Sequence, residues 1–360
     1  MLVSVPYWRS DIRLKADLAE EVARVLGYDR VPMVTLSGEV PHQKPQPLLN
    51  LKERLKDLMV GCGFYEALTY SMVSASSLRK LAPGSAESPS LSGPLALRLA
   101  NPMSPEQEYL RTSLRPGLLS TLAANQRFEK GGVRLFELGK VYLPRQEGLP
   151  EEREMLCAVL SGRRSGSGRW LEGDDNMDFF DLKAVAGAVL TGLGIAESEL
   201  KPAADATFQP ASSAQLCTEG TPLGVLGEVD RRVASSFEVG GQAYLLELDL
   251  EKLLPFTTRL KKFSPMSRFP GMARDIALEI DKGVPARRVQ DIIASFPLVS
   301  GVTAFDCYTG TGVPPGKKSL AFNIVYLSPE RTLTEEEVNS IQDRILARLA
   351  QEVGAKLRGA

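Results

Sequence analysis

At 360 residues the chain is long enough for two or three domains, and its 43% apolar and 24% charged residues are those of an ordinary globular protein. A net charge of −1 excludes a bulk field that would draw the chain onto nucleic acid, so any RNA contact has to be local. The single histidine, His42, lies in the Pro-rich stretch VPHQKPQP, a poor setting for Ser-His-Asp or Cys-His catalysis, and four scattered cysteines without a CxxC pair fit a reducing cytoplasm.

Residues 1–41 are too few for a core of their own and read as the end of a truncated domain. After the strand-like LVSVPYW, the run DIRLKADLAEEVARVLGYDRVP predicts a helix from Asp17 to Leu26, stopped by Gly27. Asp17, Glu20 and Glu21 share one helical face, and Asp11 approaches from the preceding strand. Four carboxylates there suit a hard cation such as Mg²⁺, while acidic residues in a first turn also complement the helix dipole with no metal. Leu48–Val60 predicts an amphipathic helix, FYEALTYSMV an alternating strand, and 82–94 a loop. YLRTSLRPGLLSTLAANQRFEKGGVRLFELGKVY, Tyr109–Tyr142, predicts strand, helix and strand, the helix opening at Pro116 and closing at Gly131-Gly132. EMLCAVLSG reads as a further strand, SGRRSGSGRW as a loop, and Asp178–Ile195 as a helix burying Phe179, Phe180, Leu182, Val185, Val189 and Leu190. GQAYLLELDLEKL, ending at Leu253, closes this part as a strand.

From Phe263 the order is strand (RDIALEI), helix (PARRVQDIIASF), strand (GVTAFDCY), strand (KKSLAFNIVYL), helix (LTEEEVNSIQDRILARLAQEV) and a short strand (AKLRG). That is the split βαβ, ferredoxin-like arrangement, with Thr332 or Thr334 capping the last helix. No run reaches the roughly 18 apolar residues of a membrane helix, so no membrane partner is expected.

The words NP at Asn101-Pro102, LRTSL, PGLL and LFELGKVY, then SRFP, RDIAL, FDCYTG, PPGKKSLAF, TLTEEEV and LRG, together resemble the beta subunit of bacterial phenylalanine–tRNA ligase. The resemblance implies an α+β fold: a class II synthetase-like antiparallel sheet module at 42–256 without activity, a ferredoxin-like anticodon-binding domain at 263–360, and the truncated domain at 1–41. It implies Mg²⁺ at Asp11, Asp17, Glu20 and Glu21, shared with an alpha subunit, and no catalytic residue in this chain. ATP, phenylalanine and tRNA(Phe) would be substrates of an alpha2beta2 assembly in the cytoplasm.

Phosphate-gripping arginines can be sought at the positions the resemblance marks. Leu143 follows GKVY, and acidic Glu247 to Glu251 stand where a Gly-rich arginine segment is expected. Arg111 and Arg115 read better as partners of carboxylates than as anion binders. FQPASS and GEVDRR also depart from the family's words. In the last segment, twelve basic against eleven acidic residues give only +1. RNA binding therefore needs a patch, for which Arg268, Phe269, Arg274, Tyr308, Lys317, Lys318 and Arg358 are the candidates. Dull alternatives stand beside them: Arg274 paired with Asp275, Phe269 in the core, and Lys317-Lys318 as a charged sheet edge. Two rival readings are a stand-alone RNA-binding protein and an Mg²⁺ enzyme built on the acidic cluster, the second without any nucleophile–base pair to support it.

Overall fold

A computed structural model of the chain describes residues 2–35, 37–38, 44, 46–82, 96–129, 131–164, 175–195, 198–258, 263 and 265–358. His42 and the expected loops at 83–94 and 165–170 lie outside the described residues. The chain divides into two compact units, Met1–Leu260 and Lys261–Ala360.

The first unit opens with α1 (Lys15–Leu26), which buries none of its residues and stops at Gly27, where φ is +89°. It begins two residues ahead of Asp17, whose carboxylate accepts from the Arg13 and Leu14 N–H groups and so caps the helix from inside its first turn. There follow α2 (Pro47–Gly61), β1 (Tyr65–Glu66), β2 (Met72–Val73), α3 (Ala75–Lys80), β3 (Tyr109–Leu110), α4 (Arg115–Gln126), β4 (Val133–Leu143) and β5 (Glu151–Ser161). Next come α5 (Phe179–Leu193), β6 (Glu199–Pro202), β7 (Phe208–Thr218), β8 (Thr221–Val229), α6 (Arg231–Ser236), β9 (Ala243–Asp249) and α7 (Leu250–Leu253).

Seven strands form one sheet in the order β1-β4-β5-β9-β8-β7-β6. Every neighbouring pair is antiparallel except β1 with β4. Strand side chains alternate between faces, and each face has its own core. On one side α2 and α5 cover Phe136, Leu138, Leu156, Leu246 and Leu248. On the other, α4 and α6 cover Leu135, Val141, Val159 and Leu245.

Four expectations need correcting here. GQAYLLELDLEKL is strand only as far as Asp249, and Leu250–Leu253 is helical. FYEALTYSMV is strand only at Tyr65–Glu66 and Met72–Val73, because between them the chain turns inward, Thr69 bonding Glu137. Helix α4 ends at Gln126, well before Gly131-Gly132. Its last side chain is tied to Gly240 in both directions, Nε2 donating to the carbonyl and Oε1 accepting from the N–H. Phe180, expected in the core of α5, is 69% exposed, and Leu182, Ala186, Val189, Leu190 and Leu193 form the buried face.

The second unit contains β10 (Met272–Asp281), α8 (Ala286–Ala294), β11 (Val299–Tyr308), β12 (Lys317–Tyr326), α9 (Glu335–Val353) and β13 (Lys356–Leu357). The sheet order is β11-β12-β10-β13 and both β10 and β11 run antiparallel to β12. Helices α8 and α9 pack on one face through Val289, Ile293, Val338, Ile345 and Leu349 against Ile276, Leu278, Phe322 and Ile324. This is the ferredoxin-like arrangement read from the sequence, and the whole chain is α+β. No helix among the described residues is long and apolar enough to cross a membrane.

Candidate functional site

Strand register lines up Glu137 of β4, Cys157 of β5 and Glu247 of β9 in one row on the α4 side of the large sheet. Adjacent strands lie about 4.8 Å apart, so the two glutamate backbones stand roughly 10 Å from each other with Cys157 between. Two arginines from the β3–α4 connection and the start of α4 come down onto them. Arg111 Nη1 donates to Glu137 Oε1 at 2.6 Å and to Thr69 Oγ1 at 3.1 Å, and its Nε donates to the Lys140 carbonyl at 2.8 Å. Arg115 Nε donates to Glu247 Oε2 at 2.7 Å, while its Nη1 donates to Asp205 Oδ2 at 2.8 Å and Thr207 Oγ1 at 2.9 Å. Ser113 Oγ donates to the remaining Glu247 oxygen at 2.7 Å, and the Arg115 guanidinium lies 5.0 Å above the Phe208 ring. Gly139 lies beneath Arg111, and a Cβ there would displace the end of the guanidinium.

Burial alone would lower the Arg115 pKa, but the charges of Glu247 and Asp205 outweigh it and hold the group firmly cationic. Asp205 is likewise held below the usual carboxylate range, the Arg115 charge overcoming its burial. Burial pushes the Cys157 thiol well up, with the Glu247 charge adding to it. A thiol in that state is a poor nucleophile. Both arginines are therefore spent on carboxylates inside the fold, as their setting between apolar residues suggested. The sequence reading did not single out Glu137 or Asp205. A glutamate inside the apolar run VRLFELG was the available signal for Glu137.

The four N-terminal carboxylates are arranged differently from the expectation. Asp11 sits in a turn, not a strand, with the Ile12 N–H bonded to the Arg9 carbonyl. Arg9 Nη2 donates to Asp11 Oδ2 and to Glu21 Oε1, both at 2.7 Å, and Arg24 Nη2 donates to Glu21 Oε2 at 2.6 Å. These hydrogen bonds from Arg9 and then Arg24 lower the Glu21 pKa to about 2. Asp17 is engaged as a cap and Glu20 is exposed. Among the described residues no group of three or more His, Cys, Asp or Glu has a geometry that could hold a metal. As it stands, the cluster does not fit Mg²⁺, because a guanidinium occupies the space between Asp11 and Glu21.

In the second unit the RNA candidates separate by face. Lys318 and Arg274 share the parity of core residues Ile280 and Ile276, at the rim of the helix-covered face, whereas Lys317 is on the open face. Arg274 reaches Glu335 of α9 at 3.9 Å, and Asp275 accepts from Asn323 Nδ2 at 2.6 Å, so these neighbours do not pair with each other. Adjacent strand residues point to opposite sides, which is why the Arg274–Asp275 reading fails. Lys317-Lys318 do not mark an edge, since β12 lies inside the sheet. On the open face the Arg358 guanidinium lies 5.4 Å from the Tyr308 ring centroid. Ser319, opposite Tyr308 in the register, is only 5% exposed. Arg268 is exposed and Phe269 half-buried, both just ahead of β10.

Comparison with known proteins follows this division. The family model "Phenylalanyl tRNA synthetase beta chain CLM domain" matches residues 31–250. "Ferredoxin-fold anticodon binding domain" matches 267–358 and "tRNA synthetase B5 domain" matches 1–28. The phenylalanine–tRNA ligase beta subunit of Dehalococcoides mccartyi is 40% identical over 98% of this chain and 42% of that protein. Those of Syntrophotalea carbinolica and Geobacillus kaustophilus are 37% and 36% identical over 99% of this chain and 44% of theirs. The chain thus spans less than half the length of the curated relatives it matches.

Proposed function

Since the chain belongs to the phenylalanyl-tRNA synthetase beta-chain family, its matched region covering residues 31–250, we propose that it is a non-catalytic part of a phenylalanine–tRNA ligase. In this reading 1–41 is the end of a truncated domain, 42–256 is an inactive class II synthetase-like module that docks the alpha subunit, and 263–360 binds tRNA(Phe). ATP and phenylalanine are then substrates of the cytoplasmic alpha2beta2 assembly, whose catalytic groups belong to the alpha chain. One observation carries the scaffold reading: Arg111 and Arg115 are committed to Glu137, Glu247 and Asp205, so neither guanidinium fork is free to hold a triphosphate.

The test is co-purification of this chain with the alpha subunit, followed by ATP–pyrophosphate exchange. Exchange is expected from the complex and none from this chain alone; exchange by the isolated chain would overturn the proposal. Exposed Tyr65, Leu68 and Tyr70 along the β1 edge are the apolar surface offered for that docking. Mg²⁺ at Asp11, Asp17, Glu20 and Glu21 belongs to the assembled enzyme in this reading, because the lone chain keeps that cluster occupied by its own arginine.

For RNA, the open face carrying Tyr308, Arg358 and Lys317 is the stronger half of the candidate set, with Arg268 and Phe269 near one end of β10. A ring already paired with a guanidinium offers a base a flat platform and a cation together, and stacking of this kind is worth about 1–3 kcal/mol per base. Titration of the chain with the tRNA(Phe) anticodon stem-loop should show Tyr308→Ala and Arg358→Ala each weakening binding, and Lys318→Ala changing it less. Equal losses at all three would remove the open face as the interface.

A further inference from the structure

Three helix ends of the first unit bring basic side chains to one rim. The Lys80 carbonyl at the end of α3 accepts from Ser236 Oγ of α6, and the Lys80 ammonium lies 5.2 Å from the Phe237 ring centroid. Glu238, the next residue, accepts from Arg127 Nη2 at 2.7 Å, which draws the end of α4 to the same turn. Arg79 is exposed one residue before Lys80, and Arg231 is exposed at the far end of α6, a helix of 6 residues. At a rise of about 1.5 Å per residue, Arg231 stands roughly 9 Å from the turn. Arg127 and Arg232 are paired with Glu238 and Asp230, whereas among the described residues neither Arg79 nor Arg231 meets a carboxylate. Phe128, just after Arg127, is 88% exposed. Between Arg231 and the turn lies a notch of about 320 Å³, lined by the buried Val229, Ala234 and Val239. Small-ligand sites span about 300–1,000 Å³, so this one suits a single ring system. Glu228 also borders it, but it stands opposite Tyr244, whose ring belongs to the core on the α2 and α5 side, and its carboxylate accepts from Gln242 Nε2 at 3.1 Å. Its charge is therefore directed to the other face of the sheet.

We propose that this rim is a second RNA surface of the chain, taking an unpaired strand with phosphates on Arg79, Lys80 and Arg231 and bases on Phe128 and in the notch. Such a strand combines what the rim offers separately, since it carries anionic charge at intervals and flat rings between. An acidic peptide would satisfy the cations and leave the ring and the notch unused. A protein interface concentrates apolar side chains at its centre and sheds lysine from it, whereas here cations stand around the exposed ring. The inference rests on the tRNA-binding reading above and adds a contact surface to the unit that this reading uses for docking alone.

The experiment measures binding of tRNA(Phe) and of a short oligouridylate to the whole chain across a salt series, in an R358A background that weakens the open face of the second unit. R79Q/R231Q should lower affinity at least about tenfold at low salt and flatten the plot of log affinity against log salt by about 1.4, each phosphate contact on a single strand contributing about 0.7. R79K/R231K keeps both charges and should retain the slope. F128A should weaken binding about fivefold or more, the lower end for one stacked base, and leave the slope unchanged. Arg79 and Arg231 are exposed, so neither substitution opens a cavity. An unchanged slope in R79Q/R231Q overturns the inference, and so does an equal loss in R79K/R231K. F128A that binds RNA as before but no longer co-purifies with the alpha subunit identifies a protein interface and overturns it too. Loss of all RNA binding on R358A alone overturns the inference and leaves the second-unit reading intact. Absence of ATP–pyrophosphate exchange from the complex strikes the ligase reading alone, because the titrations need no alpha subunit.

Discussion

Arg111 and Glu137 have side chains only 5% and 2% exposed and lie 2.6 Å apart. Removing one partner of such a pair leaves an uncompensated buried charge, which costs about 3–5 kcal/mol, whereas replacing both by apolar residues of similar volume is often neutral. Glu137→Ala should therefore lower stability in urea unfolding by that amount, and Arg111→Met with Glu137→Leu together by much less. Cysteine chemistry gives a second check at this scale. Iodoacetamide applied to the native chain should label exposed Cys307 and leave Cys157 untouched, since Cys157 is buried and its thiolate disfavoured. How far such detail was legible varied with its cause. That Arg111 and Arg115 pair with carboxylates followed from their apolar neighbours, but Asp205 comes from a loop 90 residues away, and no spacing rule announces it. Arg9 is no more legible, since its bond to Glu21 crosses from a turn to a helix and no periodicity joins the two.

Among the elements, α9 shows how a local sequence dictates a local structure. Thr334 Oγ1 accepts from the Glu337 N–H, and Glu337 returns the bond to the Thr334 N–H, a reciprocal cap closing two orphan donors. Thr334→Ala should cost about 1 kcal/mol in thermal or urea unfolding. Glu337 also takes Arg331, and that hydrogen bond, with the backbone one, lowers its pKa from 4.5 to about 2. The folded pKa lies below the unfolded one, so the unfolded state takes up the proton first as the solution is acidified. The cap's contribution is whole above about pH 4.5 and fades toward pH 2, which amide shifts at the start of α9 would follow. The order of elements in this unit was fully readable because each carries a strong period and a turn. In the first unit FYEALTYSMV and the start of Tyr109–Tyr142 were legible as strand but not in extent, and β6, β7 and β8 were not read as strands at all.

At the scale of the molecule, the second unit has one closed core of its own, built from both helices and three strands. Residues 265–360 expressed alone should fold and unfold cooperatively, with circular dichroism and tryptophan-independent probes such as tyrosine fluorescence giving one midpoint. Two midpoints, or none, would mean that the first unit is needed to hold it.

The parallel joint of β1 with β4 sets a different kind of condition. Tyr65 meets Leu135 and Glu66 meets Phe136, so a two-residue strand must find a partner some 70 positions away before that margin of the sheet exists. Every antiparallel joint between β7, β8 and β9 spans far less chain, and closing a longer span is both slower and entropically dearer. Held by only two residue pairs, that margin of the sheet should be among the first to loosen in hydrogen exchange.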